Sequence, residues 1–344
     1  MKVAVINAGS SSVKFKLFDM QTKEPLQTVN IEHIGEEGGA FKNHHEAIKS
    51  IGIDFSSIDA IGHRVVHGGE KLSKSVLIDA GVIDEIDRLS SLAPLHNPAN
   101  LEGILVVMKK APTTPQIAVF DTAFHSSMAQ EAYMYALPYK MYDTHKIRKY
   151  GFHGTSHSYV LKEAAKILGK NVSELNIISL HLGNGASACA IKNGKSVDTS
   201  MGFTPLEGLV MGSRSGDIDP AILLYMQREL GMSVDEIDKL LNKESGLLGI
   251  CGDNDVRTII ESKDEKAKLA LDMMTRRIQK YIGSYMALLE SVDAIVFTGG
   301  IGENSAYIRE RVLESKMFHG IKSLVINTNE ELEIANECLK VLKK

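Results

Sequence analysis

Cysteine is scarce in this chain: three in 344 residues, Cys189, Cys251 and Cys338, far apart. That spacing excludes a disulfide framework or a C-x-x-C site and fits a reducing compartment. A basic stripe is missing as well. Lys and Arg number 39 against 43 Asp and Glu, a net charge of -4, which leaves no nucleic acid among the expected partners. Nowhere do about 18 apolar residues run together, so no membrane partner is expected. Residues 1–6 enter a short apolar strand without a signal-peptide core, and the expected location is the cytoplasm. There is no low-complexity segment and no array of short repeats. What is there is 44% hydrophobic and 24% charged, the balance of a soluble globular protein. The length suits two domains of about 150 to 180 residues.

Two distant segments share one plan. Residues 2–6 read as a buried strand, Asn7-Ala8-Gly9-Ser10-Ser11 as a turn, and residues 12–18 as an alternating strand with Val13, Phe15 and Leu17 on one face. A turn around 21–25 leads towards another strand. Residues 177–180 are again a strand, His181-Leu182-Gly183-Asn184-Gly185 a glycine-rich turn, 186–191 a strand, and Asn193-Gly194 a hairpin signal into a third. Two similar α/β halves facing each other would enclose a cleft. Further on, Asp219-Pro220 reads as a helix start with Asp as N-cap. Residues 266–291 have helical spacing, 293–297 form a buried strand, 298–302 a glycine loop and 305–314 a helix. Residues 324–328 and 330–343 read as a last strand and helix.

Several of these turns suit phosphate. A strand ending in a tight polar turn exposes backbone N–H groups, and Gly9 permits close approach. Ser10, Ser12 and Lys14 are spaced by two and project from one face, while Asn7 can offer an amide oxygen to a metal or its water; alone, the segment could equally be a solvated hairpin. Thr298-Gly299-Gly300-Ile301-Gly302-Glu303-Asn304 lies between a buried strand and a helix N-terminus, which attracts anions. Neither common nucleotide motif explains these loops. Ser305 stands where a dinucleotide fingerprint needs its last glycine, and Cys189 where a Walker A loop needs its first.

Arg64, within Gly62-His63-Arg64-Val65-Val66-His67-Gly68-Gly69, and Arg214, within Gly212-Ser213-Arg214-Ser215-Gly216-Asp217, are flanked by glycine. A guanidinium in a closed site binds a carboxylate or a phosphoryl group in flight through paired N–H bonds, although an isolated arginine is usually a surface charge. His63 and His67 are four apart, as are His153 and His157. Without H-E-x-x-H or a nearby cysteine, donation to phosphate oxygens suits them better than zinc. Asp121 directly follows an apolar strand, a position that faces the ligand crevice in α/β domains or caps the next helix.

Taken together, residues 5–12, 61–71, 92–100, 119–125, 150–157, 181–187, 198–219, 298–305 and 328–332 make the chain resemble the acetokinase family of the actin, sugar-kinase and Hsp70 superfamily. The resemblance implies an α/β chain of two actin-like (ribonuclease H-like) domains, 1–148 plus 324–344 and 149–323, with the site in the cleft between them. It implies reversible phosphoryl transfer from ATP to acetate, giving ADP and acetyl phosphate by direct in-line displacement, with Mg2+ (Mn2+ as a substitute) and a homodimer. Asn7 and Glu330 match the metal-site residues, and Arg64 the carboxylate ligand. Val66, Leu95, Phe152 and Pro205 match the small methyl pocket, Asp121 the essential acid, and His153 and Arg214 the transition-state stabilisers. Lys14, His181, Leu182, Gly183, Asn184, Gly185, Asp255, Val256, Arg257, Gly300, Ile301, Gly302, Glu303 and Asn304 match the ATP-binding segments. Acetate is already ionised near neutral pH, so Asp121 is assigned to orienting Arg64 or metal-bound water rather than to deprotonating the nucleophile.

The chain departs from the family by being shorter, chiefly within 30–59 and 318–324, and by a loop at 251–257 that is one residue short and altered in composition. Competing readings are a propionate or butyrate kinase, since one methylene is worth only about 1 to 3 kcal/mol, and a nucleotide-gated assembly or chaperone protein on the same fold. The latter gives no reason for Arg64, Asp121, His153 and Arg214 to be present together.

Overall fold

The computed structural model describes residues 1–9, 11–36, 38–94 and 96–343; Ser10 and Leu95, both singled out above, lie outside the described residues. The chain divides into two compact units. The first comprises Met1–Ser126, Gly154–Tyr159 and Asn329–Lys344, the second Ser127–His153 and Val160–Thr328. No helix among the described residues is long and apolar enough to cross a membrane.

The first unit holds strands β1 (Lys2–Ala8), β2 (Val13–Asp19), β3 (Glu24–Ile31), β4 (Ala60–Val65), β5 (Val76–Leu77) and β6 (Gln116–Phe120), in the spatial order β3-β2-β1-β4-β6-β5. β1, β2 and β3 form an antiparallel meander, β4 and β6 join parallel to β1, and β5 closes the edge antiparallel. Successive β1 side chains point to opposite faces. Ala4, Ile6 and Ala8 enter one core with Ile48, Val106 and Val107, while Val3 and Val5 enter another with Ile334, Ala335 and Cys338 of the helix Glu330–Leu342. Both faces are covered, which is why β1 reads as a continuous apolar run. The C-terminal helix lies directly against β4 because Gly62 has no side chain. A Cβ there would come within 2.7 Å of Cys338 Sγ and Ile334 Cγ2.

The second unit repeats the plan with β7 (Ile177–Leu182), β8 (Ala186–Lys192), β9 (Lys195–Thr199), β10 (Ala294–Thr298) and β11 (Lys322–Val325), ordered β11-β10-β7-β8-β9. β7, β8 and β9 are antiparallel neighbours, and β10 and β11 run parallel to β7. Asn193 (φ 52°) and Gly194 (φ 73°) both take left-handed conformations, the turn type that matches strand twist, as the Asn-Gly signal predicts. The helix Glu265–Leu289 buries Ala267, Ala270, Leu271, Met274, Ile278, Ile282, Tyr285 and Leu289, a 3.6-period stripe, and packs on β8. The expected α/β architecture of two similar sheets is therefore present.

Three local expectations change. The glycine segment at 298–302 is not an open loop, because Gly299–Asn304 is helical. Gly299 enters it at φ 75°, and the Glu303 carboxylate accepts the Gly299 N–H at 3.0 Å, the Thr298 hydroxyl at 3.3 Å and the Thr328 N–H at 2.9 Å. Inward donors thus hold together a turn that glycine content alone disfavours. The helix after Asp219-Pro220 is Ala221–Glu229, one residue later than expected, with Asp219 Oδ1 accepting the Ala221 N–H at 2.9 Å. The last strand, expected at 324–328 beside the first half, is Lys322–Val325 and pairs with β10, joined to it by a parallel crossover through the helix Ala306–Leu313.

Candidate active site

In the first unit, parallel pairing of β4 with β6 sets Arg64 opposite Val119 and brings Asp121, just beyond β6, alongside it. Asp121 takes the side edge of the guanidinium: Arg64 Nε donates at 3.2 and 3.0 Å to its two oxygens and Nη2 at 2.5 Å to Oδ2. Arg64 Nη1 lies 3.4 Å from Asn7 Oδ1. One N–H on each of Nη1 and Nη2 is left over, and together these form the end edge of the fork, which can receive a second carboxylate. Thr155 donates its hydroxyl to Asp121 Oδ1 at 3.0 Å. Burial alone would lower the Arg64 pKa, but Asp121, Glu330 and Glu331 hold it above its ordinary value.

Glu330 opens the C-terminal helix, whose N-cap Asn329 accepts the Leu332 N–H at 3.1 Å. Burial raises the Glu330 pKa, and the Asp121 and Glu331 carboxylates add to that against Arg64 and Lys14. Glu331 itself pairs with Lys16 at 2.9 Å. Burial comes first among the causes of the Glu330 shift, since the three carboxylates Asp121, Glu330 and Glu331 face three cations, Arg64, Lys14 and Lys16. Two residues the sequence reading missed fix the strand ends. Asn100 accepts the Val66 N–H at 3.0 Å and donates to the Ala8 carbonyl at 2.5 Å, while Asn97 accepts from His67 N–H at 3.1 Å. Their turn-like sequence, Asn97-Pro98-Ala99-Asn100, gave no sign that both are buried. His63 is buried against Gln116, Nε2 to Oε1 2.8 Å, and burial lowers its pKa to about 4, so it faces the core and not the ligand.

In the second unit, His153 takes a left-handed conformation (φ 57°) and shares a 2.9 Å hydrogen bond between Nδ1 and Ser187 Oγ. Its ring lies 4.3 Å from that of His181, tilted by 31°. A Cβ on Gly185 would sit 3.6 Å from His153 Nε2 and 3.5 Å from Arg214 Nη1, so the glycine turn, both histidines and Arg214 form one cluster. The Arg214 loop is attached to that turn through Gly212 N–H, which donates to Asn184 O at 2.9 Å. Burial lowers the Arg214 pKa. Its Nη1 donates to the Pro205 carbonyl at 3.2 Å and approaches Met211 Sδ at 3.9 Å, and among the described residues no carboxylate pairs with it. A half-buried guanidinium without a counter-charge is well placed to receive an anion.

A cavity of about 760 Å³ lies in the same unit, lined by Gly183, Asn184, Asp255, Val256, Arg257, Gly300, Ile301 and Asn304 from the anticipated set and by Asn254, Ile260, Glu261, Ser305, Ala306 and Tyr307 besides. That volume suits a nucleotide-sized ligand. Leu182 and Gly302 are instead buried in the core, and Glu303 is turned onto the internal donors described above. Asp255 caps the next helix by accepting Arg257 N–H at 2.9 Å, and the two side chains pair at 2.6 Å on the rim. Of the anticipated methyl pocket, Val66 is buried in the first unit, Phe152 is buried and Pro205 half-buried in the second, and Leu95 lies outside the described residues.

Comparison with known proteins adds a family to this geometry. The acetokinase family model matches residues 2–339. An acetate kinase of Sulfurimonas denitrificans is 54% identical over 388 residues, covering all of this chain and 100% of its own. Among solved structures, a propionate kinase from Francisella tularensis aligns with a TM-score of 0.93 at 45% identity over 99% of both chains. An acetate kinase from Porphyromonas gingivalis aligns with a TM-score of 0.91 at 41% identity, again over 99% of both.

Proposed function

Because the chain belongs to the acetokinase family, we propose that it catalyses reversible phosphoryl transfer between ATP and acetate, giving ADP and acetyl phosphate. Its two units are two actin-like α/β domains. On this reading an acetate oxygen forms a bond to the γ-phosphorus as the bond to the β,γ-bridging oxygen breaks, and no proton needs removal. The carboxylate is received on the end edge of Arg64, whose side edge Asp121 holds. His153 and Arg214 neutralise charge on the phosphoryl oxygens, and the cavity beside the 183–185 turn receives the nucleotide. Uncompensated charge at half-buried Arg214 is the single observation that carries the reading, since a transferring phosphoryl group supplies the missing anion.

Asn7 and Glu330 would hold a divalent cation, magnesium with manganese as a substitute. An amide oxygen and a half-buried carboxylate amid further carboxylates fit a hard cation. When bound, it would supply charge neutralisation on the phosphate oxygens. A cytoplasmic location and a homodimer belong to the same proposal. The dimer is supported by the helix Ala221–Glu229, which has no buried residue and exposes Ile222, Leu224 and Tyr225 beside exposed Leu230 and Val234.

The test is acetyl hydroxamate formation from ATP, acetate and hydroxylamine. Properly folded protein that gives none would sink the assignment. The 45% identical propionate kinase favours measuring C2, C3 and C4 acids side by side. Since a methylene changes the barrier by about 1 to 3 kcal/mol, acetate is expected to lead propionate by at least about tenfold in kcat/KM, and the reverse order would make this a propionate kinase.

A further inference from the structure

Among the described residues no carboxylate locates Arg214, so its position depends on the backbone of its loop, residues 208–217. That loop begins and ends at one place. Asp217 N–H donates to Gly208 O at 3.0 Å, and Gly208 N–H donates to Asp217 Oδ1 at 2.8 Å. The helix Glu265–Leu289 supplies two more fastenings at this neck. Arg277 donates from Nη1 to Gly208 O at 2.8 Å and from Nη2 to Asp217 O at 3.2 Å, so one planar fork spans both carbonyls. One turn further along, the Tyr281 hydroxyl donates to Asp217 Oδ2 at 2.8 Å. Arg277 also pairs with that carboxylate at 3.4 Å.

We infer that Arg277 and Tyr281, acting through Asp217, are positioning residues that set the place of the Arg214 guanidinium in the phosphoryl-transfer site. Side-chain exposures of 22% for Arg277 and 40% for Asp217 make this a weak ion pair in energy. What the fork fixes is distance, because two N–H bonds in one plane hold two carbonyls at a set separation that a lysine ammonium cannot impose. Gly216 (φ 68°) and Gly208 (φ 113°) make the neck's backbone path one that other residues rarely adopt, so the chain needs an outside hold to keep it. The tip is steadied separately, by Gly212 N–H on Asn184 O and by Leu247 N–H on Met211 O, both at 2.9 Å. Ser245 N–H on Ser213 O at 3.0 Å and Ser215 N–H on Leu241 O at 3.1 Å also hold the backbone beside Arg214, so loosening the neck displaces the guanidinium slightly and leaves the fold in place.

The inference rests on the proposed role of Arg214, and a double-mutant cycle separates the two. Arg277→Gln is expected to lower kcat about tenfold with both KM values within about twofold, the pattern of a lost transition-state contact. Arg277→Lys should not rescue it, and Tyr281→Phe, which keeps the ring and should fold normally, should lower kcat about threefold. In an Arg214→Ala background the effects of Arg277→Gln and Tyr281→Phe should both shrink below about twofold, because the group they position is gone. If Arg214→Ala costs much but Tyr281→Phe or Arg277→Gln keeps its full effect beside it, the positioning role is wrong while the site reading stands. If Arg214→Ala itself costs less than about threefold, the site reading fails and takes this inference with it.

Discussion

The two units carry the same strand order, β3-β2-β1-β4-β6 in one and β9-β8-β7-β10-β11 in the other, yet treat their half-buried arginine in opposite ways. Arg64 is clasped by Asp121 along a full edge, and its charge is balanced at rest. Arg214 donates to a carbonyl and approaches a thioether, and among the described residues no carboxylate pairs with it. One scaffold thus carries one guanidinium that is fully paired at rest and, on the proposed function, a second whose charge is balanced when phosphate is present. Function here is set at strand ends and loops, with the sheets common to both.

The sharpest way to break that contrast is to remove each charge. Asp121→Ala leaves Arg64, whose side chain is 20% exposed, without its partner, which should cost about 2 to 4 kcal/mol of stability and, on the proposed function, lower kcat/KM by at least about 10³-fold as the fork loses its orientation. Arg214→Met should lower kcat about 10²- to 10³-fold while leaving stability unchanged or raising it, because an uncompensated charge has been replaced by a hydrophobic chain of similar size. Denaturant titration beside the hydroxamate assay reads both. Equal destabilisation by the two variants would remove the distinction between the arginines.

A smaller effect is expected in the second unit's glycine turn. Gly299 has φ 75°, and a Cβ there would lie 2.7 Å from the Leu182 carbonyl oxygen. Gly299→Ala should therefore distort the start of Gly299–Asn304, which lines the cavity, and raise the KM for ATP about tenfold with the acetate KM little changed. A rise in the acetate KM alone would assign this turn to the wrong ligand.

Acid should reveal the first unit. Burial holds His63 and His67 at about 4, below the ordinary value of 6.5, so both stay neutral in the fold. As the pH drops below about 6.5 the unfolded chain takes up protons that the folded chain refuses, and stability declines until about pH 4. Above 6.5 these two groups contribute no pH dependence. At pH 5.5 the loss is about 1.4 kcal/mol for each histidine. Urea midpoints at pH 7.5 and 5.5 should differ accordingly, with β4 amides losing hydrogen-exchange protection first. Equal midpoints would mean that the histidines are not buried neutral.

Much of this organisation is written locally and could be read from residues alone. Alternation and the Asn193-Gly194 pair gave both meanders, and glycine-flanked arginines pointed to anions. What could not be read depends on pairing over long separations. Arg64 and Asp121 are 57 residues apart and meet only because β4 and β6 are parallel neighbours. The buried asparagines Asn97 and Asn100 look like turn residues, and their partners are strand-end backbone groups that no local pattern names. The helix at Gly299–Asn304 was hidden for a related reason. Glycine argues against a helix locally, and the Glu303 carboxylate that holds it together reaches donors as distant as Thr328.

The smallest effect belongs to the rim of the cavity, where local sequence and site chemistry coincide least. The Arg257 side chain is 90% exposed and pairs with Asp255 in plain solvent. Such a pair is screened and contributes little to stability, so Arg257→Ala should leave the urea midpoint unchanged. The residue still lines the cavity proposed for the nucleotide, and losing one exposed cation there should raise the KM for ATP by no more than about threefold, and less at high salt. A tenfold rise that survives high salt would mean that the side chain leaves Asp255 and closes over the nucleotide. The rim would then belong with Arg214, as a group whose partner arrives with the substrate, and the contrast between the two units would extend to the whole nucleotide side.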